Sequence, residues 1–271
     1  MITCDVIGAA PANPGLGNQL FIVAATISLA IDNNDQAVFP DLRHPPYKFY
    51  GETIFHKLDH GSDKSFVKYL YQEEPYTSTI FNKIPYIDNL CLRGYFQSYK
   101  YFYHNLEEIR ELFAMPQEIL ERVNRKYNNI FNFNDSVSLH VRRGDYVNMS
   151  DKYASLGDAY YSEALSEIRD YSKVIVFSDD IEWCRKEFLP SHRDRDRFEF
   201  IGGELDVVDL YLMSEIKNNI IANSTFSWWG AMLNKNQDKK VIAPWEWFGP
   251  NRVKDNKVET ADLIPTGWKR I

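Results

Sequence analysis

Short apolar runs alternate with helical patterns along the second half of the chain. Each run rich in Val and Ile is followed by a segment whose apolar positions recur three and four residues apart, which is typical of an amphipathic helix. The predicted strands are 137–143, 173–178, 198–202, 219–223 and 239–244, and the predicted helices are 160–171, 181–188, 206–218 and 225–236. This order predicts an α/β fold with a parallel sheet covered by helices on both faces. Ligands of such sheets bind beyond the carboxyl ends of the strands.

The first half of the chain opens with the same pattern and then loses it. The predicted elements are a strand at 3–9, a loop rich in Gly, Pro and Asn at 11–19, an apolar helix at 20–30, a short apolar run at 37–40, and helices at 106–113 and 118–127. Residues 43–90 mix Pro, Tyr and Gly without clean periodicity, which predicts long functional loops. The polar, turn-rich segment 128–135 is the predicted linker.

Composition narrows the class of protein. The 271 residues carry a net charge of -7, so the chain as a whole offers no positive field to a nucleic acid or an anionic lipid surface. Cys4, Cys91 and Cys184 lie far apart and form no metal-binding spacing, which favours a reducing compartment. The start of the chain shows neither a signal peptide nor a membrane span. A cytoplasmic globular protein is therefore expected.

The strongest candidate for chemistry is the segment HVRRGDY. Strand alternation puts His140 and Arg142 on one face near the end of a strand, and Arg143 follows directly. Gly144 permits a tight turn and Asp145 closes it. Guanidinium groups carry forked donors that suit a diphosphate. The alternative is a surface turn held by an Arg–Asp ion pair, which is a common role for such residues.

A second candidate is the start of the helix that follows the strand at 219–223. The three polar residues 223–225 are good N-cap residues, and a helix N-terminus binds phosphate through its N–H groups and dipole. Ser224 and Ser227 are ligand candidates, together with the threonine between them. The two tryptophans at 228–229 have a plainer explanation in core packing, which we favour for at least one of them.

The strand at 173–178 ends in a short acidic segment. Ser178, Asp179 and Asp180 precede a predicted helix, and one of them is expected to cap it. The remaining aspartate can accept two hydrogen bonds, and guanine presents paired N–H donors at N1 and N2. A metal site would need more oxygen ligands converging on the same point than this segment supplies.

A glycine-containing loop follows the first predicted strand. It carries Gly15 and Gly17 but lacks the third glycine of a dinucleotide-binding fingerprint. The backbone and the side-chain amides of Asn18 and Gln19 can still approach a ligand closely. A lone pair of glycines is a weak signal by itself.

Together these segments resemble the bacterial α-1,2-fucosyltransferases of glycosyltransferase family 11. The matching motifs occur in order between positions 15 and 248 and read GLGNQLF, GYFQSYKYF, LHVRRGDY, VFSDDIEWC, DLYLMS, IIANSTFSWWGAMLN and APWEWF. Several ordered motifs are far more specific than any one of them. The resemblance implies a GT-B type α/β fold with two Rossmann-like domains facing a cleft. The acceptor-side domain would comprise residues 1–134, and the domain that binds the GDP-sugar would comprise residues 135–271.

The resemblance also implies the reaction. An inverting enzyme would move L-fucose from GDP-β-L-fucose to a terminal β-galactoside, with no cofactor and no essential metal. Arg142 would grip the β-phosphate, His140 and an aspartate of 179–180 would lie near the guanine, and 224–227 would meet the phosphates. The implied donor-binding residues are Gly17, Asn18, Gln19, His140, Arg142, Arg143, Ser178, Asp179, Asn223, Ser224, Thr225, Phe226 and Ser227.

The chain departs from the family pattern in three places. Residues 21–24 read FIVA where many members read FQYA, and the stretch 156–161 lacks the His-Gly pair often found before the paired tyrosines. Residues 43–90 match no family motif. Acceptor preference could be set at all three places, so the resemblance leaves the exact acceptor open.

Two catalytic roles are expected. Arg142 and a helix N-terminus could neutralise the departing diphosphate without a metal. A base should take the proton of the acceptor hydroxyl. Asp145 is the first candidate for that base and Asp151 the second, although Asp145 could equally serve to orient Arg142 or Arg143.

Two rival functions remain at this point. One is transfer of another GDP-hexose, because guanine and phosphate contacts do not identify the sugar. The other is a non-catalytic glycan-binding module. The expected partners are GDP-fucose and a β-galactoside glycan, with no nucleic acid. Lipid-linked glycans as acceptors would bring the protein to the inner face of a membrane.

Overall fold

The computed structural model describes residues 1–5, 14–42, 50–75, 79–128, 133–192, 194–251 and 259–271. The chain packs into two compact units. Unit 1 comprises Met1–Leu120 and Thr260–Pro265, and unit 2 comprises Glu121–Glu259 and Thr266–Ile271. The sequence predicted a domain boundary after residue 134, whereas the observed division falls after Leu120. The turns of helix that follow Leu120 pack within unit 2. Tyr127, for example, donates its hydroxyl hydrogen to Glu204 at 2.7 Å.

Unit 1 contains a parallel three-stranded sheet in the order β1-β3-β2. The strands are β1 (Ile2–Cys4), β2 (Tyr69–Gln72) and β3 (Leu90–Arg93). The first and third strands are buried. The edge strand β2 is exposed, which its Tyr69 and Leu70 side chains illustrate. All three strands end at the same edge of the sheet, as parallel strands must.

Unit 1 contains helices of 7 to 17 residues. They are α1 (Leu16–Asp32), α2 (Leu106–Leu112) and α3 (Gln117–Tyr127), of which α3 crosses the division between the units. α1 is apolar around most of its circumference, and most of its residues are buried. Its Phe21 ring meets Phe102 edge to face, with the ring centroids 5.9 Å apart.

Unit 2 contains a six-stranded parallel sheet. Its strands are β4 (Ser136–Val141), β5 (Lys173–Ser178), β6 (Phe198–Ile201), β7 (Asn218–Ile220), β8 (Val241–Ala243) and β9 (Lys269–Arg270). They lie in the order β6-β5-β4-β7-β8-β9, which is the 3-2-1-4-5-6 order of the Rossmann fold. The order reverses between β4 and β7. In this topology, ligands bind in the crevice at the carboxyl ends of the strands on either side of that reversal.

Helices cover the sheet of unit 2. They are α4 (Asp158–Ile168), α5 (Ile181–Trp183), α6 (Leu189–Ser191), α7 (Asp206–Glu215) and α8 (Thr225–Leu233). A π-helical turn, Cys184–Phe188, joins α5 to α6. Every residue of β4 is buried, so the alternation of its side chains separates two packed faces rather than a core face from a solvent face.

The predicted elements of the second half all correspond to observed ones, and the first half required correction. Residues 43–90 are not only loops, because they contain β2 and the start of β3. β2 is too short and too exposed to show periodicity. The loop predicted at 11–19 is wrong at its end, because α1 already begins at Leu16. The strand predicted at 3–9 and the linker predicted at 128–135 lie partly outside the described residues.

Candidate functional site

Two of the predicted motifs meet where the strand order of unit 2 reverses. β4 leads directly into Arg142 and Arg143, while β7 leads through residues 221–224 into α8. β4 and β7 are neighbours in the sheet. The hydroxyl of Tyr146 donates to the backbone carbonyl of Asn223 at 3.2 Å and so joins the two motifs. They therefore flank one crevice at the carboxyl edge of the sheet.

Arg142 is held by two carboxylates at this crevice. Its Nη1 lies 2.9 Å from Oδ2 of Asp179, and its Nη2 is ion-paired with Asp145. The guanidinium carbon lies 5.1 Å from the ring centroid of Tyr146. Nε is buried and has no hydrogen-bond partner among the described residues. Because the side chain is 30% exposed, an anionic ligand could reach the guanidinium by sharing or displacing a carboxylate.

Arg143 is engaged by the acidic segment after β5. Its backbone N–H donates to Asp179 at 2.9 Å, and its Nε lies 3.3 Å from Asp180. Its guanidinium carbon lies 3.6 Å from the ring centroid of Trp183. Asp180 also caps α5 by accepting the N–H of Trp183 at 3.2 Å. Both carboxylates thus already have partners within the protein, and these partners compete with the predicted contact to guanine.

The turn between these groups depends on glycine. A Cβ on Gly144 would lie 2.2 Å from Oδ2 of Asp179, so a larger residue would push that carboxylate away from Arg142. Ser178 shapes the neighbouring turn, because its hydroxyl accepts the N–H of Asp180 at 3.0 Å. The ion-paired turn considered from the sequence is therefore present, and it lies at the crevice.

The second motif forms a helix N-terminus. Ser224 is the N-cap of α8, and its hydroxyl accepts the N–H of Phe226 at 3.3 Å. Thr225 is the first residue of the helix. The first turn of a helix favours anions, because its N–H groups lack intrahelical partners and the dipole is positive there. Trp228 and Trp229 are fully buried, so the core packing predicted for at least one of them holds for both.

Two other residues of this motif serve the local structure. The amide of Asn223 is buried and donates to the carbonyls of Ala154 and Trp247, both at 2.9 Å. The hydroxyl of Ser227 is buried and donates to the carbonyl of Ser224 at 3.4 Å. These side chains fix the loop and the first turn of α8, whereas the backbone of that turn remains the candidate anion-binding group.

His140 packs under the crevice. Its ring lies 5.7 Å from that of Phe226, and only 4% of the residue is exposed. Nδ1 is buried and has no hydrogen-bond partner in the described part of the chain. Burial, assisted by the charge of Arg142, lowers the pKa of His140 to about 3. The imidazole is therefore neutral at physiological pH.

A carboxyl group in the first turn of α7 was missed by the sequence reasoning. Oδ1 of Asp209 is buried and has no hydrogen-bond partner among the described residues. Burial, followed by the charges of Glu204 and Asp206, raises the pKa of Asp209 to about 7. The sequence did carry a signal for this residue, namely an aspartate within the otherwise apolar run VVDLYLM. A buried acid in such a run is a candidate functional residue.

Helix packing places Asp209 beside the start of α8. α7 and α8 both run back from the carboxyl edge of a parallel sheet, so they point the same way. They touch where Gly230 faces Met213, because a Cβ on Gly230 would lie 2.8 Å from Cβ of Met213. Asp209 lies one turn before Met213, and Phe226 lies one turn before Gly230. The carboxyl group is therefore level with the first turn of α8.

The remaining predicted residues belong to unit 1. Gly17, Asn18 and Gln19 form the first turn of α1, so they are helical rather than part of a loop. Oδ1 of Asn18 accepts a hydrogen bond from Gln97 at 2.8 Å. The amide of Gln19 donates to the carbonyl of Pro14 at 2.8 Å. A helix N-terminus thus lies at the carboxyl edge of this sheet too.

Within the described residues, no group of three or more His, Cys, Asp and Glu side chains is arranged to hold a metal ion. Across the same parts of the chain, no helix combines the length and the apolar character needed to cross a membrane. Cys4, Cys91 and Cys184 are free and buried.

Sequence comparison identifies relatives over most of the chain. The model of glycosyl transferase family 11 matches residues 55–269. An α-1,2-colitosyltransferase of Escherichia coli is 31% identical over 95% of this chain and 96% of its own length. The O-antigen biosynthesis glycosyltransferase WbnK of Escherichia coli is 38% identical over 59% of this chain and 56% of its own. A galactoside 2-α-L-fucosyltransferase of Caenorhabditis elegans is 30% identical over 65% of this chain and 51% of its own.

Solved structures share the fold at low sequence identity. The fucosyltransferase NodZ from Bradyrhizobium superposes with a TM-score of 0.55 at 12% identity, over 81% of this chain and 89% of NodZ. Arabidopsis thaliana FUT1, as the R284K mutant with GDP, gives 0.54 at 12% identity, over 97% of this chain and 74% of FUT1. These likenesses confirm the predicted α/β fold of GT-B type.

Proposed function

Because the chain belongs to glycosyltransferase family 11, we propose that it is an inverting α-1,2-fucosyltransferase acting on a terminal β-galactoside in a glycan. It is a glycosyltransferase, as its relatives are. The proposed donor is GDP-β-L-fucose, and the proposed acceptor atom is the 2-hydroxyl. One observation carries this proposal: Arg142 and the N-terminus of α8 flank the crevice where the strand order reverses. A cation and a helix N-terminus at such a point suit a diphosphate.

The donor phosphates would bind at this crevice. Arg142 would grip the β-phosphate in exchange for one of its carboxylate partners, while the backbone of 224–227 would donate to the other phosphate oxygens. Arg143 would contribute indirectly, because its ion pair with Asp180 holds the turn after β4 in place. NodZ, which shares this fold, was co-crystallised with GDP and soaked with GDP-fucose, which supports a GDP-sugar as the class of donor. The donor-binding role predicted for residues 17–19, in the first turn of α1, stays a prediction.

Guanine recognition is assigned to Asp209 in place of the aspartates 179–180. A carboxylate accepts two hydrogen bonds, which matches the N1–H and N2–H donors of guanine. Asp209 has a buried oxygen that lies level with the start of α8 and has no hydrogen-bond partner among the described residues, whereas Asp179 and Asp180 are already engaged by arginines. The neutral ring of His140 would pack beneath the nucleotide.

The chemistry follows from charge. As the bond from sugar to phosphate breaks, the sugar acquires oxocarbenium character and the diphosphate becomes more negative. Arg142 and the dipole of α8 would stabilise that charge by preorganised electrostatics, without a metal. Turnover that survives a metal chelator is therefore expected. Asp145 would hold Arg142 in place through their ion pair. Its alternative role is that of the base that takes the proton of the acceptor hydroxyl.

A colitosyl donor is the second candidate. The Escherichia coli relative that covers 95% of this chain is a colitosyltransferase, and colitose is L-fucose without the 3-hydroxyl. A site that hydrogen-bonds the 3-hydroxyl would discriminate against the colitosyl donor by about 10⁴-fold, whereas an apolar pocket at that position would discriminate against the fucosyl donor by only about 10²-fold. The ratio of the two rates therefore reports how the pocket is built.

The decisive experiment is a donor and acceptor panel. The protein is incubated with GDP-fucose, GDP-colitose or GDP-mannose and several β-galactosides, and the linkage of each product is determined. An α-1,2-fucosyl product supports the proposal, and a product with one of the other sugars only would replace it. Absence of any transfer, together with no heat of GDP binding, would contradict the proposal and favour the glycan-binding module.

A further inference from the structure

A groove of about 710 Å³ lies along the C-terminal half of α1, and all of its described lining residues belong to unit 1. The buried part of the lining is apolar and includes Ala25 of α1, Ile84 and Tyr101. None of the described lining residues is among the predicted donor-binding residues. A volume of this size lies within the range of about 300 to 1,000 Å³ that is typical of small-molecule sites.

One wall of the groove is formed by residues 81–86, in the stretch of the chain that matches no family motif. The wall has neither helix nor strand, but it is held at both ends. The backbone N–H of Phe81 donates to Asp262 at 2.9 Å, and the hydroxyl of Tyr86 donates to Asp88 at 2.7 Å. These hydrogen bonds stay within unit 1, so the wall is fixed by its own unit.

Two aromatic side chains of this wall line the groove and are partly exposed. Phe81 is 36% exposed and Tyr86 is 39% exposed. The Phe81 ring centroid lies 4.9 Å from that of Tyr101, which connects the wall to the buried part of the lining. Exposed apolar side chains that cluster at a groove mark a binding site. Aromatic rings of this kind can stack on the apolar C–H face of a sugar ring.

Polar groups surround these rings. Nε2 of His104 lies 2.9 Å from Asp32, and both side chains are about half exposed. The amide of Asn105 donates to the same carboxylate at 2.8 Å and so orients it. Lys100, which also lines the groove, is ion-paired with Asp262. The rim therefore offers both donors and acceptors, held in place by partners in the same unit.

We propose that this groove binds a neutral sugar unit of a glycan. A hydrocarbon chain would cover the polar rim without giving it hydrogen bonds, which is costly. An anion would be repelled by Asp32 and by the carboxylates that hold Phe81 and Tyr86. A sugar ring supplies an apolar face for the aromatic side chains and hydroxyl groups for the rim. The inference goes beyond the proposed transfer reaction, because binding at this groove requires neither GDP nor a reacting hydroxyl.

The test is a titration followed by the methyl signals of Leu29, which lines the groove. N-acetyllactosamine and cellobiose are the sugar probes, decanoate is the hydrocarbon probe, and no nucleotide is present. The Leu29 signals should shift with sugar. Tyr86→Ala should weaken binding about 10-fold through loss of the ring, whereas Tyr86→Phe should stay within about twofold of wild type. Tyr69→Ala is the matched control, because Tyr69 is similarly exposed, at 49%, and lies outside the groove.

Phe81→Ala provides a second, independent variant if Tyr86→Ala fails to fold, and it should weaken binding by a similar factor. No shift with either disaccharide would overturn the proposal. So would equal affinities of the groove variants and Tyr69→Ala, or a response of Leu29 to decanoate alone.

Arg142→Ala keeps this inference apart from the proposed function. The variant should bind the disaccharides as wild type does, because Arg142 belongs to unit 2 and the groove to unit 1. Loss of the Leu29 shifts in Arg142→Ala would overturn the proposal. A wild-type protein that transfers no sugar from GDP-fucose but still shows the Leu29 shifts would count against the proposed function alone.

Discussion

Arg142 is the residue on which the proposed chemistry most depends. It is a cation at the reversal of strand order. Its two Nη groups pair with Asp179 and Asp145, and its Nε has no hydrogen-bond partner in the described part of the chain. This arrangement fixes the guanidinium plane before any ligand arrives, so little reorganisation is needed when a phosphate replaces a carboxylate. Preorganised donors of this kind stabilise a developing negative charge.

Arg142→Ala should lower turnover by about 10²- to 10³-fold, as the loss of one oxyanion-stabilising donor typically does. Transfer from GDP-fucose at saturating donor and acceptor measures it, with circular dichroism to confirm the fold. Arg185→Ala is the matched control, because Arg185 lies on the surface, where it pairs with Glu182 and its guanidinium carbon lies 5.6 Å from the Phe200 ring centroid. Near-normal turnover of Arg142→Ala would remove Arg142 from the donor site.

Asp145→Asn separates the two roles considered for Asp145. If the carboxylate only orients Arg142, the variant should lose turnover modestly and keep the acidic limb of the pH–rate profile unchanged. That is the result we expect, because the observed ion pair already uses the carboxylate. Loss of the acidic limb with a large fall in rate would establish Asp145 as the base.

His140 should make stability depend on pH. Its folded pKa of about 3 lies below the usual 6.5, so protonation favours the unfolded chain. The neutral residue imposes no penalty above pH 6.5, and stability falls by about 1.4 kcal/mol per pH unit as the pH drops from 6.5 toward 3. Urea unfolding at several pH values should show that this contribution to the pH dependence of stability is absent in His140→Gln. If the free energy of unfolding of wild type and His140→Gln depended on pH in the same way, the effect assigned to His140 would be refuted.

At the scale of elements, the contact between α7 and α8 sets the position of the helix start at the crevice. Gly230 allows α8 to approach Met213, and the same approach puts Asp209 level with Phe226. Glycine is otherwise unfavourable inside a helix, by about 1 kcal/mol relative to alanine. Close packing therefore explains its presence in the middle of α8.

Gly230→Ala should destabilise the protein by about 1 to 3 kcal/mol, despite the better helix propensity of alanine, because the new methyl group overlaps Met213. It should also weaken GDP binding, since α8 must move. Gly267→Ala is the matched control, because a Cβ there meets no atom within 4 Å. Chemical denaturation measures both variants, and equal stabilities would show that the helices do not constrain each other.

At the scale of the whole molecule, binding of GDP should stabilise the folded chain. GDP at 100 times its Kd should add about 2.7 kcal/mol to the free energy of unfolding. Inosine diphosphate lacks the N2 amino group of guanine, so it should bind about 10- to 100-fold more weakly through the loss of one hydrogen bond to a charged group. Thermal shifts at several nucleotide concentrations measure the affinity for each nucleotide. In Asp209→Asn the difference in affinity between GDP and inosine diphosphate should shrink. An unchanged difference would show that guanine binds elsewhere.

Local periodicity determined much of what this sequence predicted. The βα order of unit 2, the arginine turn after β4 and the capped start of α8 all depend on residues that are neighbours in the chain. The family resemblance was equally visible, because its motifs are contiguous. Even the ion pair between Arg142 and Asp145 spans only three positions.

Only the tertiary structure decided which of these segments meet. The order of the strands is set by pairing between distant residues, and it brings the arginine turn beside the start of α8 rather than elsewhere on the sheet. The same folding engages Asp179 with Arg142 and leaves Asp209 with a buried oxygen that no other described residue hydrogen-bonds. In unit 1, β2 and β3 are too short for a periodic signal and become strands through their pairing. Periodicity reports which face of an element is buried, whereas partners are chosen by packing across the whole chain.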